Sequence, residues 1–156
     1  MSASPSGRTP ICQLLGQIHG KILALADTLR NGRQLASIVI LTDGEPTDGD
    51  ILEALKPFEE LPVWIVIRLC TNDEEIVNFW NKIDEDLELN IEVLEDLNEE
   101  AVEVFQHNPW LNYCEPLHRL REFGMPLKEI DMLDECQLSL DQIRLICSIM
   151  YGARIF

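Results

Sequence analysis

Asp43, Glu45, Asp48 and Asp50 gather four carboxylates within one stretch, LASIVILTDGEPTDGD, from Leu35 to Asp50. Carboxylate oxygens are hard donors and suit Mg2+ or Mn2+. The apolar run ahead of them, Ser37-Ile38-Val39-Ile40-Leu41, is bounded by turn residues and reads as a strand buried on both faces. Asp43 then stands at the carboxyl end of that strand, where open α/β sheets bind ligands. Two chemistries fit such a loop: cation-assisted binding of a partner, and Mg2+-dependent phosphotransfer. Each acid also has a plainer use. Asp43 is a good turn residue before Gly44, Glu45 and Asp48 sit among Pro, Thr and Gly, and Asp50 with Glu53 makes a helix-capping box.

The other elements must place that loop. Thr9 is a good N-cap and Pro10 suits the first helical position. Ile11, Leu14, Leu15, Ile18, Ile22, Leu25 and Leu29 recur at helical spacing, so a helix is expected over about 10–30, ended by Asn31-Gly32. His19 lies beside this stripe and reads as a structural side chain. A short helix at about 50–57, a buried strand at 62–69 and a helix at 73–86, capped by Thr71 with Glu74, follow. Leu89, Ile91 and Val93 alternate with Asn90, Glu92 and Leu94, which predicts a half-exposed edge strand over 89–94. Asp96 with Glu99 caps a further helix. Strand and helix alternate, so the strands should be parallel, joined by right-handed crossovers, with 62–69 in the middle. The helices at 10–30 and 50–57 are expected above and below the strand at 37–42. Nothing in residues 1–36 resembles a strand to pair beside it. That edge is therefore expected to be open to water or paired with another chain.

Three segments result. Residues 1–8 are Ser/Gly/Pro-rich and expected to be disordered, 9–106 form the α/β part, and 107–156 form a helical extension. The extension runs through the aromatic stretch 107–113, a short basic helix from Leu117 to Phe123 stopped by Gly124, and a helix capped by Ser139 with Gln142. It either packs back on the sheet or offers an apolar face to a partner.

The chain has 156 residues and a net charge of −16, concentrated between residues 34 and 110. A surface so negative repels nucleic acid and anionic lipid. It is also what solubility alone would produce. The five cysteines are odd in number and form no C-x-x-C pair, which points away from a disulfide framework and toward reducing cytoplasm. The start, MSASPSGRTP, lacks the apolar core of a secretory signal, and the longest apolar run, Leu61 to Ile67, is too short to span a bilayer.

Two segments together resemble the von Willebrand factor type A domain. IVILTDGEPTDGD is similar to that family's strand followed by Asp-Gly. Ser6-Gly7-Arg8-Thr9-Pro10, ahead of a long helix about thirty residues upstream, is similar to its threonine loop. The order of the following elements also agrees, so the resemblance covers about residues 6–106. It implies a three-layer, Rossmann-like α/β fold and a divalent cation at the carboxyl edge of the sheet, held by Thr9 and Asp43, with Glu45 and Asp48 beside it for binding. The family's D-x-S-x-S loop is absent, and too little chain precedes Thr9 for the strand bearing it. The implied domain is truncated and its metal-ion-dependent adhesion site incomplete, so Mg2+ or Mn2+ is expected to bind weakly or not at all.

Three functions follow. The first is a non-catalytic protein-interaction module that binds a protein partner or a second subunit at the carboxyl edge of the sheet. The second is a Mg2+-dependent phosphotransfer or phosphohydrolase domain with Asp43 at its strand end. Against it, the local pattern is Asp43-Gly44-Glu45 instead of D-x-D, and Lys56 and Arg68 are the only basic residues between 34 and 81. The third is a structural subunit whose extension docks into an assembly.

Overall fold

The computed structural model describes residues 9–87 and 89–152, so the segment expected to be disordered lies outside the described residues. The order is α1 (Ile11–Gly32), β1 (Ala36–Thr42), α2 (Ile51–Leu55), a 3-10 turn (Lys56–Phe58), β2 (Val63–Leu69), α3 (Glu74–Asp86), β3 (Ile91–Leu94), α4 (Leu97–His107), α5 (Glu115–Glu122), α6 (Lys128–Asp131) and α7 (Leu140–Tyr151). The fold is α/β with a small three-stranded parallel sheet in the order β1-β2-β3. The middle position of β2 agrees with the expectation. No helix among the described residues is long and apolar enough to cross a membrane.

The principal core lies on one face. Ile38, Ile65, Ile67 and Ile91 meet Ile11, Leu15 and Ile22 of α1, Ile51 and Leu55 of α2, Phe58, and Trp80 and Ile83 of α3. This corrects the expectation that α1 and α2 cover β1 from opposite sides. The chain steps from β1 to β2 to β3 in one direction. Two right-handed crossovers taken in the same direction leave their helices, α2 and α3, on the same face, and α1 packs there too through Ile11, Leu15 and Ile22. Leu14 and Leu25, counted in the core stripe of α1, are exposed. His19 packs its ring edge-on against Phe58 at 5.3 Å, as a structural histidine would.

The opposite face carries Trp64, Val66 and Leu94. The extension packs back onto it. Ser37 Oγ donates to the Phe123 carbonyl at 3.2 Å, and Arg68 Nε donates to Glu122 Oε1 at 2.7 Å. Gly124 makes the approach possible. Its φ is +72°, and a Cβ there would lie 2.1 Å from Ser37 Oγ. Val104 of α4 joins Tyr113, Leu117, Ile130, Leu133, Leu138 and Ile146 in a second core. Buried Asn108 ties that core together, donating to the Leu133 and Cys136 carbonyls and accepting from Leu138 N and Trp110 Nε1.

Two capping expectations change. Pro10 is the N-cap of α1 and no side chain of its own caps the helix, while Asp73, not Thr71, caps α3. Asp50, Asp96 and the Ser139–Gln142 box cap α2, α4 and α7 as expected.

Candidate functional site

The loop after β1 is held by its own polar groups. Thr42 Oγ1 donates to the Gly44 carbonyl at 2.9 Å, and Trp80 Nε1 reaches the same carbonyl at 3.3 Å. Asp48 is committed to α1, accepting from Cys12 N at 3.1 Å and from Gln13 N at 2.8 Å. Slight burial opposes its ionisation, but these two amides win and hold the carboxyl below its usual range. Asp48 thus does the capping expected of Thr9. Thr9 meets the loop through its backbone: its amide donates to Thr47 Oγ1 at 2.8 Å, and its carbonyl accepts from Thr47 N at 3.1 Å. The structure therefore brings the Thr9 segment beside the 47–48 part of the loop. Asp43 and Glu45 are exposed and accept no hydrogen bond among the described residues.

A second group of acids was not singled out from the sequence. A cleft of about 400 Å³ opens between α3, β3, α4 and the 131–135 segment, and Asp84, Glu92, Glu100, Glu103, Asp131 and Asp134 line it with Arg121. Arg121 comes from α5 and is buried. Its guanidinium bonds Glu92, Glu100 Oε2 at 2.6 Å and Asp134 Oδ2 at 2.7 Å, and touches the Tyr113 hydroxyl at 3.3 Å. One cation joins β3, α4, α5 and the segment after α6. Glu92 also accepts from Trp64 Nε1, and Glu95 N donates to Glu100 Oε1 at 2.9 Å.

One guanidinium does not balance so many carboxylates. Burial, opposed by Arg121 and reinforced by Asp134, pushes Glu100 up to about 8. Burial, with Glu92 and Glu135 adding repulsion, pushes Asp131 up to about 7. Burial and Glu135 push Asp84 up to about 6. Glu92 and Glu103 rise for the same first reason. Burial disfavours the charge on Arg121, but Glu100, Asp134 and Glu92 more than restore it. Glu100, Glu103 and Asp134 each bring a carboxylate oxygen within 4.8 Å of the others, and Asp134 Oδ1 is a buried atom with no hydrogen-bond partner. This triad could hold a metal ion. Its donors are all oxygen, the set that hard cations prefer.

The expectation of a half-exposed 89–94 strand is corrected here. Glu92 is only 3 % exposed, and the strand begins at Ile91. The sequence held one signal of this. Glu92 and Leu94 point to the same face, so a leucine at 94 argues that the face is covered.

No family model, curated protein or solved structure matches the chain.

Proposed function

We propose that this chain is a non-catalytic protein-interaction module of the von Willebrand A kind, whose docking surface is the outer edge of β1 leading up to Asp43 and Glu45. The observation that carries this reading is the state of β1. It pairs with β2 alone among the described residues, and Leu35, Val39 and Leu41 stay exposed beside that open edge. An open apolar strand edge is a template for another strand, with main-chain bonds giving affinity and alternate side chains giving specificity. The test is selection of displayed peptides on the whole chain. Selected peptides should be extended and rich in β-branched residues, and should slow amide exchange at Ser37, Val39 and Leu41. Peptides that protect only other surfaces would refute the reading. Hydrolysis of a simple phosphate ester with Mg2+, abolished by Asp43→Ala, would replace it with phosphotransfer.

A second reading rests on the cleft: Mg2+ or Mn2+ held by Glu103, Asp134 and Glu100, acting as a clasp between the α/β part and the extension. Oxygen donors and the unpartnered Asp134 Oδ1 favour it. A cation must displace the proton that Glu100 holds near neutral pH, so binding should release protons. Titration of Mn2+ in two buffers of different ionisation enthalpy measures that release. A buffer-independent heat, or binding unaffected by Glu103→Gln, would sink it.

A further inference from the structure

We infer that a second copy of this chain docks antiparallel along the outer edge of β1, with Val39 on the two-fold axis. The inference rests on the docking surface proposed above and names its occupant.

Backbone direction defines the seam. Ala36 N donates to the Pro62 carbonyl and Cys70 N to the Thr42 carbonyl. Residues 36, 38, 40 and 42 therefore face β2, and the register carries this along the strand. The N–H and C=O groups of Ser37, Val39 and Leu41 point the other way, and no group among the described residues meets them. A two-fold axis at Val39 makes residue 39 of each copy a hydrogen-bonded pair and places Ser37 of each opposite Leu41 of the other. All three outward residues then bond, so the strand satisfies its own edge with no foreign sequence.

Charge favours the same antiparallel direction. Arg33, the left-handed C-cap of α1, lies just before the strand, and Asp43 and Glu45 lie just after it, so the two-fold seam brings the start of each strand near the end of the other. Arg33 and Glu45 are both exposed, and neither has a charged partner in its own chain among the described residues. A parallel arrangement would instead bring like ends together. The two-fold seam thus joins the basic start of each strand to the acidic end of the other, the self-complementarity that an isologous interface needs.

Side chains agree with the backbone. Leu35, Val39 and Leu41 project on the face carrying α5, and all are exposed, Leu41 at 69 %. Val39 would meet its own image, and Leu41 would lie between Leu35 and Val39 of the second copy. Phe123, 76 % exposed, is bonded through its carbonyl to Ser37, the residue that faces Leu41 of the second copy. Three exposed apolar side chains therefore lie along the seam.

The test is sedimentation equilibrium of the whole chain from about 1 μM to 1 mM in about 0.15 M salt, where the screening length is about 8 Å. Long-range repulsion between two copies of charge −16 is then weakened, while pairs in contact still attract. A monomer–dimer equilibrium is expected. Val39→Lys sets like charges face to face and should weaken it about ten-fold or more. Arg33→Glu and Glu45→Arg should each weaken it, and the double variant should restore it to within about three-fold. A dimer indifferent to all three changes would place the second copy elsewhere and overturn the inference. A monomer whose Ser37, Val39 and Leu41 amides exchange fast would also overturn it, leaving the edge open for a different partner. A monomer with those amides protected would mean that the chain covers its own edge, and the docking surface itself would fall.

Discussion

The loop after β1 and the cleft behind β3 are both acidic, yet Asp48 in the one and Glu100 in the other are shifted in opposite directions. In the loop, Asp48 accepts two backbone amides from the first turn of α1, and its carboxyl is held below the usual range. In the cleft, Glu100 and Asp131 are pushed up to about 8 and about 7 by burial and by their neighbours. The difference is the donor supply. A helix N-terminus offers unpaired N–H groups and a favourable dipole to a carboxylate near water. The cleft offers one guanidinium, divided among Glu92, Glu100 and Asp134. Acidic residues are thus a poor guide to charge until their donors are counted. The loop fixes its charge, while the cleft stores protons that a cation could replace.

The most severe way to break this contrast is to remove the shared donor. Arg121→Met leaves Glu92 and Asp134 without a counter-charge and Glu100 without its donor, and should cost about 3–5 kcal/mol. Urea denaturation near neutral pH measures it, and a loss under about 1 kcal/mol would show that the carboxylates are already neutral. The pH dependence comes next. Glu100, Asp131 and Asp84 have raised values in the folded chain, so the folded state binds more protons than the unfolded state. Their stabilisation is complete below the ordinary carboxylate range and is lost as pH rises through about 6, 7 and 8. Tm should fall by about 2–8 °C between pH 6 and 8.5, the effect of one or two kcal/mol in a chain of this size. Glu100→Gln should flatten the upper part of that fall, and a Tm that rises with pH would reverse the assignment. Asp48→Ala has a smaller expected effect, a drop of a few degrees in Tm with no change in the pH slope, because one helix cap is lost. Asp43→Ala should be smallest of all, with Tm unchanged, since nothing among the described residues leans on that carboxylate. A marked change from Asp43→Ala would mean that the loop holds a cation.

The sequence by itself determined the parallel sheet, the central place of β2 and three of the helix caps. These depend on local chemistry: β-branched runs bounded by turn residues, capping side chains at fixed offsets, and the handedness of crossovers. It also showed no strand-like run in residues 1–36 to pair beside β1, and among the described residues β1 pairs with β2 alone. What lay on each face was decided only by the tertiary structure. Handedness would have put α2 and α3 together, but the face taken by α1 and the lid on the opposite face, which comes from α5 about fifty residues beyond β2 in sequence, were not set by it. Arg121 sits in a short helix that reads only as basic, and Glu92 in a strand that reads as half-exposed. Periodicity records which residues share a face and is silent on what covers it. Asp48 was legible as a loop acid, but its role as the cap of α1 needed the helix start and the loop to meet in space. Local spacing therefore sufficed for the elements and for the open edge of β1. The cleft, whose charged groups come from distant segments joined at one guanidinium, exists only once the chain has folded.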